Sequence, residues 1–189
     1  MHGRLALEDS LIQRFFASAP PELRGEAVKY VGRSLRDAQA EPASEVLDRL
    51  MALWESRLAA AEGNEEPGVL APEMEAFGWW FLSGKLPDEW ALTNLIRALS
   101  VSRRVDLDKP VIDGVAALAL DFPKEAITVA QIMISGDHQG WGVYAWREQL
   151  RGIVAAAHSS RDSAAQERAR AVVNELVVRG YPDFREILS

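Results

Sequence analysis

The sequence predicts an all-α fold of nine to ten helices. Three observations carry that expectation. Apolar residues recur at three- and four-residue spacing through most of the chain, a period that gathers them on one face of a helix. Proline returns after short apolar or glycine breaks, in KLPDEW, DFPKEA and GYPDFRE, where it ends one helix and suits the first turn of the next. No segment holds the two-residue alternation of a strand. The run VVNELVV (172–178) comes nearest, but its Asn174 and Glu175 sit well on an exposed helical face.

Taken in order, the first helix is expected over residues 7–18, with Leu11, Ile12, Phe15, Phe16 and Ala19 on one broad apolar face. Pro20 and Pro21 break it, and Pro21 opens a second helix over 21–38 with Leu23, Ala27, Val31 and Leu35 at four-residue spacing. A third, over 43–61, turns Val46, Leu47, Leu50, Leu53, Trp54 and Leu58 inward. The segment AEGNEEPGVLAP (61–72) has two glycines, two prolines and three acids, the composition of a loop. It is the natural sub-boundary if the chain has one, although a hairpin connection is preferred because helical patterning resumes at once.

A fourth helix over 72–83 buries Met74, Phe77 and Phe81, and Gly84 fits a left-handed stop. Pro87 opens a fifth, whose Asp88 and Glu89 face the positive end of the helix dipole while Leu92, Leu95, Ile96 and Leu99 form its core stripe. Pro110 leads a sixth with Val111, Val115, Leu118 and Ala119; Pro123 leads a seventh with Ile127, Ala130, Met133 and Ile134. The turn SGDHQGWG (135–142) precedes an eighth bearing Val143, Trp146, Leu150, Ile153, Val154 and Ala157. Asp162 caps a ninth, with Ala165, Ala169, Val172, Val173, Leu176 and Val177 inward. Gly180 stops it and Pro182 opens a last turn reaching Phe184, Ile187 and Leu188.

Residues 141–188 thus read as one helical hairpin with a terminal turn, the surest unit of the chain. The proline spacings, 36 residues from Pro87 to Pro123 and 59 from Pro123 to Pro182, fit degenerate hairpin repeats of roughly 35 to 45 residues. The expected arrangement is a single helical-repeat domain over 1–189: antiparallel hairpins stacked into a short right-handed α-solenoid, HEAT-like, with an irregular helical bundle as the alternative.

Composition narrows the function. At 189 residues the chain can bury roughly 70% of its unfolded surface and needs no staple. It has no cysteine, which removes disulfides and thiolate metal sites and fits a reducing cytoplasm. No apolar run is long enough to span a membrane. The net charge of −7, from 21 basic and 28 acidic residues, argues against unassisted binding to a phosphate backbone. Residues 62–89 hold seven acids and only Lys85, whereas 139–189 hold seven arginines and six acids.

Chemistry is hard to place. His2, His138 and His158 have no second ligand at helical spacing, and no P-loop or nucleophile elbow is present. Asp106 and Asp108 beside Arg103 and Arg104, or His138 beside Asp137, are the only groups for a small enzyme, and ion pairing or capping explains them better. The expectation is no enzyme, no metal and no cofactor.

The suggestive feature is aromatic. Of six tryptophans, Trp79 and Trp80 are adjacent, so they point about 100° apart and cannot share one core seam. Trp141 and Trp146 flank Tyr144. Because Trp and Tyr dominate interaction hot spots, the candidate protein-binding residues are Trp79, Trp80, Trp141, Tyr144 and Trp146, with at least one tryptophan expected to be exposed. The alternative is a nucleic-acid face of Arg147, Arg151, Arg161, Arg168 and Arg170, which interleaved acids weaken.

The helical patterning resembles HEAT and armadillo repeats. A narrower resemblance rests on GWWFLSGKLPDEWALTNLIRAL (78–99), WREQLRGIVAAAHSSRD (146–162) and VNELVVRGYPDFREIL (173–188). These are similar to the C-terminal helical tail of large bacterial multidomain proteins with a sirtuin-like or NACHT/STAND NTPase domain upstream, several of which act in anti-phage defence. Arg179-Gly180-Tyr181-Pro182-Asp183-Phe184, followed by Ile187-Leu188, carries most of it. The resemblance implies a scaffold or sensor region whose partner is another protein or the upstream domains of the same polypeptide. A start almost directly on a helix fits a chain that begins inside a larger protein, though a native start fits equally.

Overall fold

The computed structural model describes residues 10–64 and 66–189. Within them the chain forms eleven α-helices: α1 (Ser10–Ser18), α2 (Pro21–Asp37), α3 (Ser44–Glu62), α4 (Ala71–Glu75), α5 (Phe77–Phe81), α6 (Asp88–Ser102), α7 (Asp108–Leu118), α8 (Pro123–Gly136), α9 (Trp141–Ala145), α10 (Arg147–Ser159) and α11 (Ser163–Val178). Two 3-10 turns, Pro67–Leu70 and Pro182–Leu188, complete it, with no strand among the described residues. The fold is all-α. Residues 7–9 of the first expected helix and His2 lie outside the described residues.

Most boundaries follow local chemistry. Pro21 and Pro123 occupy the first turns of α2 and α8, where a missing N–H costs nothing. The Asp162 carboxylate accepts from the Ala164 and Ala165 N–H groups at 2.8 and 3.4 Å, capping α11 as expected. Gly84 and Gly180 take the left-handed conformation, φ 63° and 96°, that lets a helix end sharply.

Several elements depart from the sequence reading: the expected eighth helix is split at Trp146 into α9 and α10, and Leu11 of α1 and Val46 of α3, expected to face inward, are exposed. The expected helix over 72–83 is two short ones, because at Ala76 the hydrogen bonding tightens: the Trp79 N–H donates to the Ala76 carbonyl three residues back. The expected loop over 61–72 is largely ordered into the Pro67–Leu70 turn and the start of α4. In α2 the inner face is rotated. Leu23 is exposed and Ala27 and Val31 are half-buried, whereas Arg24, Gly25, Val28, Gly32 and Leu35 are buried. The glycines explain the rotation: a Cβ on Gly32 would stand 2.6 Å from the Trp79 Cβ, and one on Gly25 2.9 Å from the Pro72 carbonyl oxygen. The helix turns its smallest residues, not its most apolar ones, to its neighbours.

Packing runs in chain order. α2 lies on α4 and α5, α4 on α6, α6 on α8, α8 on α10 and α11, and the terminal 3-10 turn on α10 and α11. One hydrophobic cluster threads these layers from Phe16 through Phe77, Leu95 and Ile127 to Val172 and Phe184. Near its start, Trp54 of α3 stacks on Phe77 at 4.4 Å. A buried charge cluster pins the same corner. Glu73 is fully buried; its carboxylate accepts two hydrogen bonds from Arg57, at 2.9 and 3.2 Å. Arg24 Nε lies 2.6 Å away, off the line of a hydrogen bond, while its NH1 donates to the Phe16 carbonyl.

Candidate functional site

Of the three most exposed aromatic residues among those described, Trp141 and Tyr144 lie together on α9, and Tyr30 stands apart on α2. The approach to α9, 137–140, is fixed by one carboxylate: Asp137 accepts from the Gly140 N–H at 3.0 Å and the Val143 N–H at 2.8 Å. Gly140 there takes φ 77°, a conformation that suits glycine. The C-terminal end of α11 braces the loop from the other side. Arg179 donates to the Asp137 carbonyl at 2.9 Å and pairs with Glu175, and the Tyr181 hydroxyl donates to the Gly140 carbonyl. On this support Val143 and Trp146 point into the core while Trp141 and Tyr144, three residues apart and so on one helical face, stay 74% and 69% exposed.

A cleft opens on each side of this ridge. One, of about 630 Å³, is lined by Arg103, Arg104, Asp108, His138, Trp141 and neighbours. The other, of about 600 Å³, is lined by His138, Gln139, Trp141, Tyr144, Arg179 and Tyr181, among others. The 103–108 segment, which walls the first of these clefts, is conformationally unusual. Arg103 and Leu107 both have positive φ, 61° and 58°, a cost of order 1 kcal/mol or more for residues with a Cβ. Contacts on both flanks hold the segment there: Gly78 and Gly136 have no Cβ where one would overlap the Asp106 and Arg103 carbonyl oxygens.

The remaining candidates sort by burial. Trp80 and Trp146 are 1% and 5% exposed, so neither is a surface contact residue. Trp80 donates its indole N–H to the Val28 carbonyl at 2.7 Å. Trp79 is half-buried, with the Arg33 and Arg36 guanidiniums 4.3 and 4.8 Å from its ring and its indole N–H directed to Asp106. Adjacent tryptophans do point to different surroundings, and both are occupied with packing.

The five arginines do not gather into one face. Arg147 and Arg151 share Asp183 at 2.9 and 2.8 Å. The Arg147 hydrogen bond is the main reason that the Asp183 carboxyl is held below its ordinary range. Arg168 reaches Gln131 of α8, and Arg170, two residues on, points about 200° away around the helix. Arg161 sits in the α10–α11 turn, exposed.

The possible catalytic groups are similarly occupied. Asp106 accepts from Trp79 and pairs with Lys29 at 3.2 Å, and Asp108 accepts from the Lys109 N–H at 2.6 Å. Asp137, beside His138, serves as the cap. Among the described residues no group of three His, Asp or Glu side chains is placed to share a metal ion.

Sequence reading named Trp141 and Tyr144, both of which are exposed, but missed the bracing by Asp137, Arg179 and Tyr181. Only Gly140, between a polar turn and an aromatic run, hinted at the sharp entry. No family model matches this chain, nor does any curated protein or solved structure.

Proposed function

We propose that this chain is a non-catalytic protein-interaction module, a scaffold or sensor element, that docks a protein partner or other domains of the same polypeptide through the α9 ridge. The observation that carries this reading is the pairing of Trp141 and Tyr144: two large aromatic residues, exposed on one face of a braced helix between two clefts. Aromatic side chains with few rotamers, held on a rigid support, lose little entropy on binding and are the residue types that dominate hot spots.

A HEAT-like stack within a larger bacterial protein is part of the same reading. The layers pack in chain order, as stacked hairpins do. The terminal signature is spent on scaffolding, with Tyr181 on the α9 loop, Asp183 on two arginines and Phe184 in the core. The lack of cysteine supports a reducing, cytoplasmic setting. Nucleic-acid binding has less support, because Asp183 already engages two of the five arginines it would need.

The test is a paired capture experiment with the wild-type chain and the Trp141→Ala/Tyr144→Ala variant, both first shown by circular dichroism and thermal melting to be equally folded. Surface truncations of this kind shift stability by about 0.5 kcal/mol or less. The expected result is a set of protein partners retained by the wild type and lost by the variant. An identical set from both would remove the ridge from the reading. Salt-sensitive retention of DNA or RNA by both would favour the arginines instead.

A further inference from the structure

Arg103 and Arg104 follow directly on α6, are exposed, and line the cleft of about 630 Å³ that Trp141 also lines. Neither guanidinium makes an ion pair or a hydrogen bond with another described residue. Arg104 is near enough to the Glu75 carboxyl to act on its ionisation, but burial and Asp106 raise that carboxyl above its ordinary range.

Arg103 is held there against its own preference. It occupies the left-handed position just past α6, φ 61°, where a helix ordinarily places glycine. Its carbonyl oxygen is clamped against Gly136, where an added Cβ would stand 2.3 Å away, and a glycine at 103 would meet that contact equally well. The strain therefore supports the Arg103 side chain, which itself ties nothing together in the fold. Strained backbone of this kind gathers at ligand-binding positions.

The carboxylates of the same cleft are already engaged. Asp137 accepts from the Gly140 and Val143 N–H groups, and Asp108 from the Lys109 N–H. The Trp141 indole N–H has no partner among the described residues. A guanidinium carries five donors and no acceptor, so what the cleft lacks is an anionic acceptor, and the planar fork of arginine matches a carboxylate. A nucleic-acid backbone would bring a long run of phosphates against a net charge of −7. A short acidic segment answers the two arginines alone.

We propose that the segment docking on the α9 ridge is an acidic peptide, in which an aspartate or glutamate carboxylate is taken by Arg103 and Arg104 while a neighbouring apolar residue packs on the Trp141 ring. This rests on the reading of the ridge as the docking surface and adds the chemistry of what docks.

The probe is a displayed pool of random dodecapeptides retained on the full chain, with the best retained peptide then titrated in solution by fluorescence anisotropy. Retained peptides should be rich in Asp and Glu beside an apolar residue. Arg103→Gly/Arg104→Gln should bind the peptide about ten-fold more weakly, as loss of a charge-assisted hydrogen bond gives, while melting no lower than the wild type. Lys124→Gln/Arg185→Gln removes the same charge from exposed positions outside the clefts and should leave affinity unchanged. Asp108→Asn, which removes the opposing charge, should tighten binding about two- to three-fold.

Retained peptides without an acidic excess, or unchanged affinity in the Arg103→Gly/Arg104→Gln variant, would overturn the acidic partner. If Trp141→Ala/Tyr144→Ala still abolished retention, the ridge would stand without it. An equal loss in the Lys124→Gln/Arg185→Gln control would reduce the attraction to net charge and overturn the site, as would weaker binding by Asp108→Asn. Oligothymidylate bound more tightly than any retained peptide would reassign the two arginines to nucleic acid. No retained peptide, or retention indifferent to Trp141→Ala/Tyr144→Ala, would remove the ridge and the proposal together.

Discussion

Two glutamates two positions apart on α4 carry opposite electrostatic roles. Glu73 is fully buried against Arg57 and Arg24, and removing one member of such a cluster leaves uncompensated charge in a poorly solvated place. Glu73→Gln keeps the shape and removes the charge, stranding two guanidiniums. It should lower unfolding stability by about 3 to 5 kcal/mol, read from the urea midpoint at unchanged slope. A loss below 1 kcal/mol would mean that water reaches the cluster. Glu75 is destabilised as an ion, first by burial and then by the nearby Asp106 carboxylate, which together outweigh Arg104 and Lys29 and raise its pKa above 4.5. The folded state then holds a proton that the unfolded state has released, so this residue's contribution to stability falls as pH rises from about 4.5 through its folded value. Glu75→Gln should therefore melt at higher temperature than the wild type at pH 7, and the two should converge below pH 4. A gap that widens on acidification would reverse the sign and refute the argument.

Helices are where the sequence was most and least readable. The caps and stops at Pro21, Pro123, Asp162, Gly84 and Gly180 are local chemistry, and each acts where its residue type predicts. The α8, α10 and α11 core stripes were legible because large apolar side chains carry their contacts. The α2 face was not, because glycines at 25 and 32 set it by permitting close approach, and a missing side chain has no hydrophobic signal. The site was half legible for a related reason. Exposed aromatics such as Trp141 stand out in sequence, but whether an aromatic is exposed depends on partners far along the chain, as Trp80 and Val28 illustrate. The same contrast sets up a paired substitution. Gly78→Ala would press a methyl group against the Asp106 backbone, where neither side can yield cheaply, and should cost about 2 kcal/mol. Gly152→Ala, at an open helical position in α10 with nothing near its added Cβ, should instead gain roughly 0.5 to 1 kcal/mol. Chemical denaturation of the two variants reads both signs. If both were stabilising, the fit between α5 and the 103–107 segment would be looser than the geometry requires.

At the scale of the molecule, the question is how far a disturbance travels. One hydrophobic cluster runs from Phe16 to Phe184, which favours unfolding as a unit, yet the packing between layers follows the chain, from α2 through α6 and α8 to α11. If the layers behave as stacked units, stability is a sum of neighbour interfaces and the ends can open alone. Leu176→Ala discriminates. Leu176 is fully buried in α11, and truncating such a leucine costs about 2 to 5 kcal/mol. In a stack, that loss should appear in amide hydrogen exchange as faster opening of α10, α11 and the terminal turn, with α2 and α3 keeping their wild-type protection. Glu73→Gln, at the other end of the layer order, should do the converse. Helices α6 and α8, packed against layers on both sides, should be the last to exchange in either variant. A uniform fall in protection across all helices would mean that the continuous core wins over the layered order, and that the irregular bundle, not the solenoid, describes how this chain holds together.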